Sequence, residues 1–79
     1  MFEILIHDKE GKITRPITIH DNFDSAFYKA EELIMGMETA GFKFYLINFN
    51  PYTWLGEKEL PTKQFRSVVI KEVEIKDVR

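Results

Sequence analysis

The stretch FKFYLINFNPYTWLGEKELPTKQ, residues 42–64, decides how many strands this chain has. Its first eight residues, Phe42 to Phe49, are dense in aromatic and β-branched side chains and predict a strand over 42–49. Strict alternation puts Phe42, Phe44 and Leu46 on one face and Tyr45, Ile47 and Phe49 on the other. Asn50-Pro51 breaks the run, and Pro51, Gly56 and Pro61 make the remainder read as one long loop, 50–64. Loops of that length without internal structure are uncommon in compact domains and are often functional.

Toward the N-terminus, residues 2–7 alternate, with Phe2, Ile4 and Ile6 on one face. Residues 13–20 alternate too, with Ile13, Ile17 and Ile19 opposite Thr14, Pro16, Thr18 and His20. The polar run Asp8 to Lys12 between them predicts a hairpin over 2–20. A turn on Glu10-Gly11, or on Lys9 to Lys12, pairs Ile4 with Ile17 and Phe2 with Ile19. A three-residue loop centred on Glu10 sets Phe2 opposite Thr18 and loses that match. Pro16 lacks an N–H, so its strand is expected at a sheet edge.

A helix is expected over 24–40, capped by Asp24 and stapled by Phe23 against Tyr28. Phe27, Ala30, Ile34 and Met37 recur at helical spacing with Ala26, Leu33 and Ala40 beside them, while Lys29, Glu31, Glu32, Glu38 and Thr39 face water. Gly36 suggests close approach to the sheet, and Gly41 fits the residue that ends the helix. Residues 65–76 predict a last strand, with Val69, Val73 and Ile75 on one face, Val68 and Ile70 on the other, and a bulge near Lys71-Glu72.

The whole is one domain, 1–79, of α+β class: ββαββ, one helix on one face of a four-stranded, mainly antiparallel sheet. In outline it resembles the β-grasp arrangement, and that resemblance implies a last strand parallel to the first. An all-antiparallel order is the alternative.

Composition narrows function. The chain has 79 residues, 44% hydrophobic and 30% charged, with a formal net charge of −2. That balance excludes a general polyelectrolyte grip on nucleic acid. Cysteine is absent, which removes disulfides, thiolate metal sites and thiol nucleophiles. Apolar runs are far too short to span a bilayer, and Met1 to Asp8 lacks a basic signal-peptide start, so a cytoplasmic location and no membrane partner are expected. Nine Ile and eight Lys against three Ala and three Arg suggest an AT-rich bacterial or phage source.

No motif for catalysis, metal or cofactor emerges. His7 and His20 fall at opposite ends of the hairpin on the uncovered face, roughly 20 Å apart at ~3.3 Å per residue, too far to share a metal. Glu31, Glu32 and Glu38 read as a solvated helix face. No enzymatic activity, cofactor or metal is expected.

The remaining signal is apolar surface. One helix covers one side of a sheet, leaving Leu5, Tyr45, Ile47, Phe49, Val68 and Ile70 on the other, unless the 51–64 loop folds across them. Tyr52, Trp54, Leu55 and Leu60 lie in that loop, and Tyr and Trp concentrate binding energy. The expected function is a small stand-alone protein-binding domain, a modulator or inhibitor of a larger system. It would act, also as a homodimer, through Tyr45, Ile47, Phe49, Tyr52, Trp54, Leu55, Val68 and Ile70. The alternative is a single-stranded nucleic-acid binder. Residues 41–79 carry seven basic against five acidic side chains, and Tyr45 and Phe49 would stack bases.

Overall fold

A computed structural model describes residues 1–13 and 18–73. The elements are β1 (Phe2–Asp8), β2 (Thr18–His20), α1 (Phe23–Thr39), β3 (Lys43–Phe49), β4 (Tyr52–Lys58) and β5 (Gln64–Glu72). They form one five-stranded antiparallel sheet in the order β2-β1-β5-β4-β3, with α1 packed on one face.

The α+β class and the single helix stand as expected, but the strands number five, not four. The expected 50–64 loop holds β4, joined to β3 by the two-residue turn Asn50-Pro51. Tyr52, Thr53, Trp54 and Leu55 are strong strand formers, and they outweigh the breakers on either side. Gly56 is tolerated because the Phe44 ring, directly opposite on β3, lies over it. The orientation of the last strand follows. Two hairpins link β3, β4 and β5, and β5 pairs antiparallel with β1 from Phe2↔Glu72 to Asp8↔Arg66. The parallel pairing of the β-grasp outline is therefore not found. That register is continuous, so the expected bulge at Lys71-Glu72 is absent; Ile75 lies outside the described residues.

The hairpin register also differs. Asp8 N–H donates to the Lys12 carbonyl at 2.9 Å, and His7 opposes Ile13, so the turn is the three-residue loop 9–11. Gly11 takes φ +84, the left-handed position that closes such a loop. At the other end Phe2 opposes His20 and Ile4 opposes Thr18, so neither expected isoleucine pairing forms. Ile13 and Ile19 are exposed, with Ile19 opposite Glu3 on the face away from α1. β2 is a sheet edge, as expected.

The α1 N-cap is Asn22, not Asp24: its side chain accepts from Ser25 N–H at 2.8 Å. Tyr28 points to solvent, and Phe23 packs instead on Phe2, Phe27 and Tyr52, so the expected staple is replaced by an aromatic cluster. Gly41 (φ +108) follows the last turn as expected, whereas Gly36 meets open space and Ala40 is exposed.

The core lies between α1 and the two central strands. Ala26, Ala30, Ile34 and Met37 close on Ile4 and Ile6 of β1 and Val68 and Ile70 of β5. Ala26 and Ala30 are fully buried, and their small side chains bring the helix axis close to the sheet. Burial of each isoleucine contributes about 1.5–3 kcal/mol.

Two glycines test this packing with opposite signs. Gly36→Ala fills open space in a helix and should raise stability by about 0.5–1 kcal/mol. A Cβ on Gly56 would clash with the Phe44 ring, so Gly56→Ala should lower stability by about 1–3 kcal/mol through overpacking. Midpoints of urea unfolding at unchanged slope measure both.

Candidate interaction surfaces

The two faces of the sheet follow from the registers. Toward α1 point Phe2, Ile4 and Ile6, Val68 and Ile70, Tyr52 and Trp54, and Phe44, Leu46 and Phe49. The far face carries Glu3, Leu5 and His7, then Phe65, Ser67, Val69 and Lys71, then Thr53, Leu55 and Glu57, and finally Lys43 and Tyr45.

The expected contact residues are therefore split between the faces. Val68 (0% exposed) and Ile70 (3%) belong to the core beneath the helix, not to an uncovered face. Tyr52 and Trp54 also lie on the helix side, half-buried against Phe27 at 5.6 Å between ring centroids in each case. Phe49 joins them, its ring 5.5 Å from Tyr52, because the register slips between Leu46 and Asn48. That bulge consumes one residue, so residues on either side of it no longer alternate in phase. Phe49 nevertheless remains 67% exposed at the sheet margin. Tyr45 and Leu55 oppose each other on the far face, both exposed, and Ile47 at the bulge is 57% exposed.

The far face is not blanketed by residues 51–64, since β4 lies in the sheet. Nor is it uniformly apolar. Leu5 and Val69 pair at its centre, and Ile19, Tyr45 and Leu55 extend the apolar area to both sides. Between them Glu3 opposes Lys71 and Glu57 opposes Lys43, opposite charges that favour this register.

The two sheet edges differ in kind. β2 offers three residues. β3 offers seven, and from Phe44 to Phe49 none is charged and only Phe44 is partly buried. An edge of this composition is a template for another strand. The bulge restricts regular pairing to Lys43–Leu46.

Cations gather at the end of the sheet away from the α1 N-terminus. Lys9 and Lys63 stand 5.8 and 5.5 Å from the Phe65 ring centre, and Lys58 and Arg66 lie 5.7 and 5.5 Å from that of Phe42. Phe65 and Tyr45 share the far face, with Glu57 on the strand between them.

The histidines occupy opposite faces, contrary to the expected shared one. His7 lies on the far face. His20 lies on the helix side, with Nδ1 3.2 Å from Ser25 Oγ and Nε2 3.2 Å from Thr18 Oγ1. Among the described residues no three His, Asp or Glu side chains converge as metal ligands, and no helix is long and apolar enough to cross a membrane. No family model, curated protein or solved structure matches this chain.

The Asp8 carboxylate is held by the turn that follows β1. Asp8 Oδ1 accepts from Lys12 N–H and Glu10 N–H, each at 2.9 Å, which organises the β1–β2 turn. The Lys12 N–H bond is the main cause holding the Asp8 carboxyl below its ordinary value. Burial opposes it, and the Glu10 N–H and the charges of Lys12 and Arg66 assist it. A lowered folded-state pKa stabilises the protein above the unfolded value, near 3.9, and that stabilisation fades as pH falls through the folded value. Asp8→Asn keeps an acceptor oxygen but removes the charge. Its stability deficit relative to wild type should be present at neutral pH and shrink as pH is lowered below about 4, as measured by thermal unfolding across pH.

Proposed function

We propose that this chain is a small, non-enzymatic protein-binding domain that recognises β-structure through the edge of β3. The exposed side chains on either side of that edge provide the flanking contacts. A second copy of the same chain is the first partner. The reading rests on one observation: a seven-residue edge strand whose last six residues carry no charge, with Tyr45 and Leu55 exposed on one face, Leu46 and Phe49 on the other, and Ile47 exposed at the bulge. Strand addition draws affinity from main-chain hydrogen bonds and specificity from alternate side chains, and this edge offers both. Antiparallel pairing of two β3 strands is self-complementary about a two-fold axis, the commonest closed symmetry of homo-oligomers. The bulge after Leu46 keeps the added ladder short, which favours a finite assembly over a fibre. In a cell, such a domain suits a cytoplasmic modulator or inhibitor of a larger bacterial or phage system.

A second reading, binding of single-stranded nucleic acid, draws on Phe65 with its two flanking lysines and on Tyr45 across the same face. Glu57 between them weakens it.

Sedimentation over a range of concentration, combined with amide exchange, separates the readings. Wild type should form a concentration-dependent dimer whose β3 amides exchange slowly. Tyr45→Lys combined with Ile47→Lys should give a folded monomer with fast β3 exchange, at a stability cost within about 1 kcal/mol because both side chains are exposed. A wild type that stays monomeric, with fast β3 exchange at every concentration, rules out self-pairing. Binding of a labelled oligonucleotide at low salt that weakens with added salt would favour the second reading.

A further inference from the structure

The helix side of the sheet has more area than one helix can cover. Five strands at about 4.8 Å spacing are ~19 Å across, whereas a helix with its side chains is ~10 Å wide. Because α1 sits over β1 and β5, towards the β2 side of the sheet, the β4–β3 side is only partly covered, with Tyr52, Trp54 and Phe44 packed at the margin of the core. There a groove of ≈ 430 Å³ runs along the helix, with Trp54 on its floor and Tyr28, Ile34 and Met35 on its wall. Leu46, opposite Trp54 on β3, carries the apolar floor outward. Tyr28 (73% exposed) and Met35 (66%) leave large apolar surfaces open along it.

The rim of this groove is acidic. Glu31, Glu32 and Glu38 line it, and Glu32 also pairs with Lys29, which lies outside the lining, at 3.1 Å. Glu38 stands in the last turn of α1, where the helix dipole disfavours an anion, and no basic side chain of that turn offsets it. From Tyr28 to Glu38 the groove extends about 15 Å at ~1.5 Å per residue, the length of a helix of three turns.

We infer that this groove is a docking site, distinct from the β3 edge, for an amphipathic helix with a basic flank supplied by another protein. Such a helix lies beside α1 on the partly covered side of the sheet. Its apolar stripe covers Trp54 and Met35, and its Lys or Arg side chains meet Glu31 and Glu38. The shape and the charge select the same occupant: the partly covered strip is one helix wide, and an acidic second helix would be repelled along its length.

Trp54 is the sole tryptophan of the chain and lies in the groove, so its emission reports occupancy directly. The probe is a peptide of lysine and leucine at helical spacing, roughly four turns long, with a glutamate-and-leucine peptide as control. The lysine peptide should shift Trp54 emission saturably at moderate salt, and the glutamate peptide should not. Glu31→Lys combined with Glu38→Lys should weaken binding by about tenfold or more. Glu10→Lys combined with Glu59→Lys makes the same charge change at exposed positions elsewhere and should leave binding within about twofold. The Tyr45→Lys, Ile47→Lys variant should still bind the peptide even where it no longer self-associates, so failure of one site is distinguishable from failure of the other. An unchanged Trp54 signal, equal binding of the two peptides, or equal loss in both glutamate variants would overturn the inference. Circular dichroism of each variant confirms that the fold is retained.

Discussion

The contact between the first half of α1 and β4 determines the rest of the architecture. Phe23 and Phe27 meet Tyr52 and Trp54 in a continuous set of ring contacts with centroids 5.2–5.7 Å apart, and Phe2 joins from β1 at 5.6 Å. Edge-on and tilted rings at these separations add about 0.5–1.5 kcal/mol per pair beyond the area they bury. The consequence is topological. Once Tyr52 and Trp54 are held against the rings of Phe23 and Phe27, residues 52–58 lie in the sheet, and β3 is displaced to its margin. That anchor adds to the strand preference of Tyr52 to Leu55 against the two flanking prolines and Gly56.

That single element explains which parts of the fold could be read from the sequence. The hairpin, the helix and the strands near 42–49 and 65–72 follow from periodicity, because each pattern is local and strong. The strand at 52–58 was hidden by Pro51, Gly56 and Pro61, although Tyr-Thr-Trp-Leu is as good a strand signal as any in the chain. Gly56 is compatible with a strand only because Phe44 covers it from β3, a non-local contact that alternation cannot reveal. Parity did the rest. With an extra strand between β3 and β5, the last strand reverses direction relative to the first, and an outline resembling β-grasp becomes an antiparallel sheet. The N-cap differed for a smaller reason: Asn22 and Asp24 are both good caps, and the choice between them is set by where Phe23 packs.

The candidate surface was legible in kind and not in detail. The excess of apolar residues is real, since Tyr45, Ile47, Phe49 and Leu55 are all exposed. Assigning them to one face assumed that alternation runs unbroken through each strand, and the slip between Leu46 and Asn48 sends Phe49 to the helix side. Val68 and Ile70 lie beneath the helix, and strand phase alone does not say which face the helix takes. Three core pairings decide it: Ile4 with Ile70, Ile6 with Val68, and Val68 with Trp54. The isoleucines at 13 and 19 failed in the opposite direction, and they now enlarge the exposed far face instead of the core.

The distribution of charge then gives the two exposed regions different chemistry. β3 is neutral after Lys43, so nothing along its edge discriminates between partners except backbone pairing and side-chain shape. The flank of α1 that overlooks β4 is the reverse: glutamates stand over an apolar floor. A neutral edge suits a partner of like sequence, because two identical charged edges would repel when brought together in register. An acidic, partly apolar groove excludes its own copy for that same reason and favours a basic one. A chain this small has few ways to hold two contacts apart; placing one on the main chain of β3 and the other on the side chains of α1 lets each be occupied without the other.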